Sequence, residues 1–106
     1  MADWTLVQEA AEEGGFAVLV TFGAAWCKPC KAIAPFVQEL SARFAGSILF
    51  VKVDVDECEA VAEQANAFRG LPLFQLRSKG EAVDELIGAR QEKLVTMLEK
   101  FVGKND

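Results

Sequence analysis

Five consecutive residues, Trp26-Cys27-Lys28-Pro29-Cys30, hold most of the chemistry open to this sequence. Two cysteines at i and i+3 in a first helical turn come within disulfide reach, so the pair can close and open without rearranging the backbone. A cysteine at a helix N-terminus meets free backbone N–H groups and the positive end of the helix dipole, and both favour a thiolate. Pro29 suits a first turn, where its missing N–H had no intrahelical partner. Lys28 and Lys31 add positive charge beside the sulfurs. The spacing makes Cys27 the attacking nucleophile, and Cys30, deeper in the turn, the more shielded, resolving thiol.

The rest of the inventory removes competing chemistries. The chain has 106 residues, three cysteines and no histidine. Without imidazole there is neither a Ser-His nor a Cys-His catalytic pair. Three thiols fall short of the four that an all-cysteine zinc site requires, so no metal site is expected. An odd cysteine count also argues against a structural disulfide framework. A net charge of -5 opposes nucleic-acid binding. With 52% apolar and 25% charged residues the chain is neither disordered nor membrane-spanning. The acidic run Asp54-Val55-Asp56-Glu57-Cys58-Glu59 is not a calcium loop: counting from Asp54, position six is Glu59 rather than glycine, and position twelve is Ala65 rather than glutamate. A solvated acidic patch is expected. No secretory signal is visible, Met1 reads as a native start, and a cytoplasmic location follows.

The elements needed to position the cysteines follow from periodicity. Asp3 can cap a helix over 4–13, with Leu6, Val7, Ala10 and Ala11 as its stripe and Gly14-Gly15 as its stop. Phe16 to Phe22 is a continuous apolar run rich in branched residues, the pattern of a central strand buried on both faces. Ile33, Phe36, Val37, Leu40 and Phe44 mark one face of the helix that follows, with Pro35 expected to kink it. Ser47 to Val55 reads as a second strand and 57–67 as a short helix. Leu73 to Arg77 and Ala82 to Ile87 form a hairpin around Ser78-Lys79-Gly80-Glu81, and 91–102 is a last helix. The sum is one α/β domain over 1–106.

These features together resemble the thioredoxin family, its eukaryotic cytosolic members in particular, over nearly the whole chain. The residues that carry the resemblance are WCKPCK from Trp26 to Lys31, Pro35, the stretch VDVDEC from Val53 to Cys58, Leu71-Pro72, and Gly88. It implies a thioredoxin fold: a central mixed sheet of four strands flanked by four helices. The family's N-terminal edge strand would fall before Met1, leaving the 47–55 strand at an edge and permitting a weak dimer of an otherwise monomeric protein. It implies a cis Pro72 and a client groove formed by Trp26, Leu71, Pro72, Gly88 and Ala89, with main-chain pairing at Leu71.

The implied activity is that of an oxidoreductase reducing protein disulfides through Cys27 and Cys30. It needs no bound cofactor; NADPH enters only through a thioredoxin reductase. Expected clients include peroxiredoxins, ribonucleotide reductase and methionine sulfoxide reductase. The alternative is a client-binding adaptor with weak or no turnover. Two substitutions keep that alternative open. Lys28 stands in place of the family's glycine and should favour the reduced form. Thr21 stands in place of a buried aspartate, leaving Lys52 without its acidic partner and slowing resolution. Cys58, surrounded by carboxylates that oppose a thiolate, is expected to react less readily than Cys27 and is at most a regulatory thiol.

Overall fold

A computed structural model of the protein describes residues 16–104. The helix expected over 4–13 lies outside them. The central apolar run forms β1 (Ala17–Gly23), followed by α1 (Lys28–Arg43), β2 (Ile48–Asp54) and α2 (Glu59–Ala65). A single 3-10 turn (Ala67–Arg69) then leads into β3 (Leu73–Ser78), β4 (Glu81–Ile87) and α3 (Gln91–Lys104). The strand order is β2-β1-β3-β4, with β1 parallel to β2 and antiparallel to β3, and β3 antiparallel to β4. This is the expected mixed four-stranded sheet, with β2 on an edge among the described residues. Three of the four expected helices are described.

β1 occupies the middle because both of its faces are apolar. Alternate residues Val18, Val20 and Phe22 join a cluster with Val53, Val55, Ala62, Ala67 and Leu73, under α2 and the 3-10 turn. Ala17 and Leu19 join the opposite cluster with Ile33, Leu40 and Phe44 of α1 and its end, and Leu94, Met97 and Leu98 of α3. The stripe read from the sequence at Ile33, Phe36, Val37, Leu40 and Phe44 packs as one face against this second cluster. Leu19 and Phe22 are fully buried; truncating Leu19 to alanine costs about 2–5 kcal/mol at such a site.

The β3–β4 turn also forms as its residues require. Lys79 and Gly80 both adopt positive φ (53° and 80°), the pattern of a two-residue hairpin turn whose twist matches that of the strands. Pro35 lies inside α1, where its ring leaves the Lys31 carbonyl without an intrahelical N–H. The helices α1 and α2 begin at the same end of the sheet, because each follows one of the two parallel strands; α1 crosses over between β1 and β2, whereas α2 leads into the antiparallel β3. Gly23 at the end of β1 is in register with Asp54 at the end of β2, which gathers both following loops at one edge.

Candidate active site

Cys27 is the N-cap residue of α1, in extended conformation, and its Sγ accepts the backbone N–H of Cys30 at 3.2 Å. A sulfur here takes the role an N-cap oxygen usually plays. Pro29 occupies the second helical position, as expected, and no acidic side chain lies in the first turn. Cys27 and Cys30 form a disulfide with Cα atoms 5.3 Å apart. Lys28 and Lys31 are exposed.

As whole residues, Cys27 is 5% exposed and Cys30 is partly buried. Cys30 borders a cavity between α1 and the β1–β2 pair. Thr21 lines the same cavity, half-buried on the α1 face of β1, and Lys52 stands beside it in register on β2. The position expected to carry an acid thus holds a hydroxyl next to an exposed lysine.

The other predicted residues converge on the same end of the sheet. The Leu71–Pro72 bond is cis, as the resemblance implies. The Gly88 N–H donates to the Pro72 carbonyl at 2.8 Å, fastening the loop after β4 to the start of β3. Gly88 has φ of 103°, a conformation that favours glycine. Leu71 packs against the apolar cluster that contains Cys27. Trp26 is 68% exposed, an apolar surface beside the sulfurs, and Ala89 is exposed.

Sequence reasoning missed what holds Trp26. Its Nε1 donates to Asp56 Oδ2 at 2.8 Å across thirty positions of chain. Asp54 Oδ1 in turn accepts the N–H groups of Asp56 and Glu57 at 2.8 and 3.2 Å. Part of the acidic run is therefore a turn that aims Asp56 at the indole, not merely a solvated patch. The parallel register of β1 and β2 was the signal that could have found it. No cluster able to hold a metal ion occurs among the described residues.

Cys58 lies near the same loop as the N-cap residue of α2, buried in the cluster that also contains Cys27. Further out, Arg69 Nη2 and Gln75 Nε2 both donate to Glu85 Oε2 at 2.9 Å, bracing the 3-10 turn before Leu71 against β4. Burial pushes the Glu85 carboxyl upward, but the hydrogen bonds from Gln75 and Arg69 and the Arg69 charge outweigh it, so its pKa is lowered. No described helix is long and apolar enough to cross a membrane.

Comparison with known proteins agrees with this geometry. The family model "Thioredoxin" matches residues 6–100. Thioredoxin H4 of Arabidopsis thaliana is 38% identical over 100 residues, covering 94% of this chain and 83% of that protein. Thioredoxin of Homo sapiens is 40% identical over 99 residues, covering 92% of each chain. The solved thioredoxin structure of Plasmodium falciparum superposes with a TM-score of 0.82 at 37% identity, covering 92% of this chain and 93% of that one.

Proposed function

The chain belongs to the thioredoxin family, and on that premise we propose that Cys27 is the attacking thiol and Cys30 the resolving one. Family and disulfide together make the protein a thiol-disulfide oxidoreductase that reduces protein disulfides. The observation that carries the assignment of roles is the cap: Cys27 receives a backbone N–H at the start of α1, the position where a thiolate is best stabilised.

The cycle runs as follows. The Cys27 thiolate attacks a client disulfide, one client sulfur leaves as a thiol after taking a proton, and a Cys27–client mixed disulfide remains. Cys30 then loses its proton and attacks Cys27 Sγ, expelling the second client thiol and closing the Cys27–Cys30 disulfide. Two electrons have passed to the client. Thr21 holds no proton-accepting group at neutral pH, so the Cys30 proton leaves to solvent through the adjoining cavity, and resolution is the slower half of the cycle. Lys28 acts on the Cys27 thiolate through a solvent-screened charge, and Lys52 acts beside Thr21 in the same way.

Trp26, Leu71, Pro72, Gly88 and Ala89 form the client groove. The Leu71 backbone pairs with an extended client segment, which recognises main chain and so tolerates varied sequences. Electrons return from a thioredoxin reductase using NADPH, and no cofactor is held by this chain. Clients are disulfide-bearing proteins, peroxiredoxins among them. One domain covers 1–106, the working unit is a monomer, and the outer edge of β2 is where a weak dimer would pair. A dithiol that works in its reduced form suits a reducing compartment, the cytoplasm first.

Insulin reduction driven by a thioredoxin reductase and NADPH tests this reading. Wild-type protein should turn over and Cys27→Ser should lose about 1,000-fold. Client binding by the wild type without turnover would instead establish an adaptor.

A further inference from the structure

On one side the sheet ends, among the described residues, on β2. Two bonds that frame the β1–β2 ladder show which of its main-chain groups face outward. The Ala17 N–H donates to the Ser47 carbonyl at 3.2 Å, and the Val55 N–H donates to the Gly23 carbonyl at 2.9 Å. A parallel strand turns both groups of every second residue to the same side, so Leu49, Val51 and Val53 face β1. Ile48, Phe50, Lys52 and Asp54 turn theirs to the open edge. Two of these outward groups are engaged within the chain. The Ile48 N–H donates to the Phe44 carbonyl, and the Asp54 carbonyl accepts the Cys58 N–H, both at 2.9 Å. What remains unpaired among the described residues is the Ile48 carbonyl, both groups of Phe50, both groups of Lys52 and the Asp54 N–H.

We propose that two copies of the chain pair antiparallel along β2, about a twofold axis at Val51, to give one sheet running through both copies. The inference rests on the weak dimer assigned to this edge and adds its geometry. In that register the free groups are complementary to themselves. Phe50 lies opposite Lys52 of the second copy, and the two exchange both main-chain bonds. The Ile48 carbonyl meets the Asp54 N–H of the second copy. The two engaged groups, the Ile48 N–H and the Asp54 carbonyl, fall opposite each other, so neither leaves a free group without a partner. Moving the axis by one residue, to Phe50 or to Lys52, sets an engaged group against a free one. A strand without these two gaps gains nothing from them, so the pattern selects a second copy.

The side chains agree. Leu49 is 39% exposed and gains cover from Val53 of the second copy on the α2 face. On the α1 face, the half-buried Phe50 receives the alkyl stem of the Lys52 opposite. The two exposed lysines stand diagonal to each other, about 7–8 Å apart, and their like charges oppose pairing. A strand of seven residues, about 23 Å long, hides much less than the roughly 1,200 Å² of a stable interface. The dimer is therefore reversible and forms at high concentration. Cys27 and Asp56 lie beyond the same end of β1 and β2. Antiparallel pairing sends the two dithiols to opposite ends of the joined sheet, where both stay open to clients.

Amide hydrogen exchange read by NMR at micromolar and at millimolar concentration tests the pairing. The Phe50, Lys52 and Asp54 amides should slow about fivefold at the higher concentration, while those of Leu49, Val51 and Val53 stay protected at both. An Hα–Hα contact between Leu49 and Val53 should appear with them. Within one strand those protons are about 13 Å apart, so the contact arises only between copies. Phe50→Pro removes an outward N–H and leaves the β1 ladder intact; it should weaken association at least about tenfold. If that variant does not fold, Lys52→Thr decides instead and should tighten the dimer about threefold by removing the repulsion. Slow exchange of Phe50 and Lys52 at both concentrations would show the chain covering its own edge and would overturn the proposal. Concentration-dependent protection without the Leu49–Val53 contact would overturn the register and leave a dimer at β2. Absence of association by sedimentation would end the weak dimer as well. Insulin reduction by the wild type tests the oxidoreductase reading separately.

Discussion

Cys27 and Cys58 are the same residue type in nearly the same place. Each is the N-cap residue of a helix that follows one of two parallel neighbouring strands, and each is almost fully buried in the same apolar cluster. Yet Cys27 Sγ accepts the Cys30 N–H, whereas Cys58 makes no side-chain cap hydrogen bond. α1 opens with Lys28 and carries no acid in its first turn; α2 opens with Glu59 and runs for only seven residues. Cys27 has a second sulfur three residues on, and Cys58 has none. A helix N-terminus alone does not make a redox thiol. It needs an aimed donor, a compatible charge and a partner sulfur.

The largest test of this contrast removes each sulfur in turn. Cys27→Ser should cut insulin turnover about 1,000-fold, and Cys58→Ser should leave it within about twofold. Equal losses would end the distinction. Next in size is the resolving step. Thr21→Asp places a carboxylate beside Cys30 and Lys52, and should speed decay of the mixed disulfide about tenfold in rapid-quench measurements. An unchanged rate would show that proton removal from Cys30 does not limit the cycle.

Charge at the first helical position gives a smaller, matched pair of effects. Lys28→Gln should make the Cys27–Cys30 couple more reducing by about 30 mV or less, measured against a thiol redox buffer. Glu59→Lys should raise the alkylation rate of Cys58 by iodoacetamide about threefold. If neither moves, the cap hydrogen bond alone separates the two cysteines.

The smallest effect lies outside both caps. The lowered pKa of Glu85 means the folded state holds its charged form, bound to Gln75 and Arg69. That stabilisation is present above the ordinary carboxylate pKa and is lost as pH falls through the lowered one. Urea unfolding should therefore show a shallower acid loss for Glu85→Gln than for wild type, while insulin turnover at neutral pH stays within about twofold. A large loss of turnover would show that the brace before Leu71 shapes the client groove.

Much of this was legible before any tertiary contact was known. The branched apolar run at 17–22, the stripe from Ile33 to Phe44, and the Lys79-Gly80 turn each encode their own geometry through periodicity or φ preference. So does the placement of two cysteines in one first turn. The cavity beside Cys30 was not legible, because it depends on how α1 packs over the β1–β2 pair rather than on position in the helix. Asp56 was also missed as the anchor of Trp26, since an acidic run looks alike whether it faces water or an indole N–H.

The sequence by itself determined the element order, the dithiol and the helix start that caps Cys27, because these are interactions between near neighbours in the chain. Only the tertiary structure decided how Trp26 is tethered, how Gly88 fastens Pro72, and which side of the disulfide opens to a cavity. Those features arise where the parallel register of β1 and β2 and the antiparallel pairing of β3 and β4 bring distant residues to one end of the sheet. Such contacts depend on strand order and packing, which no local spacing specifies.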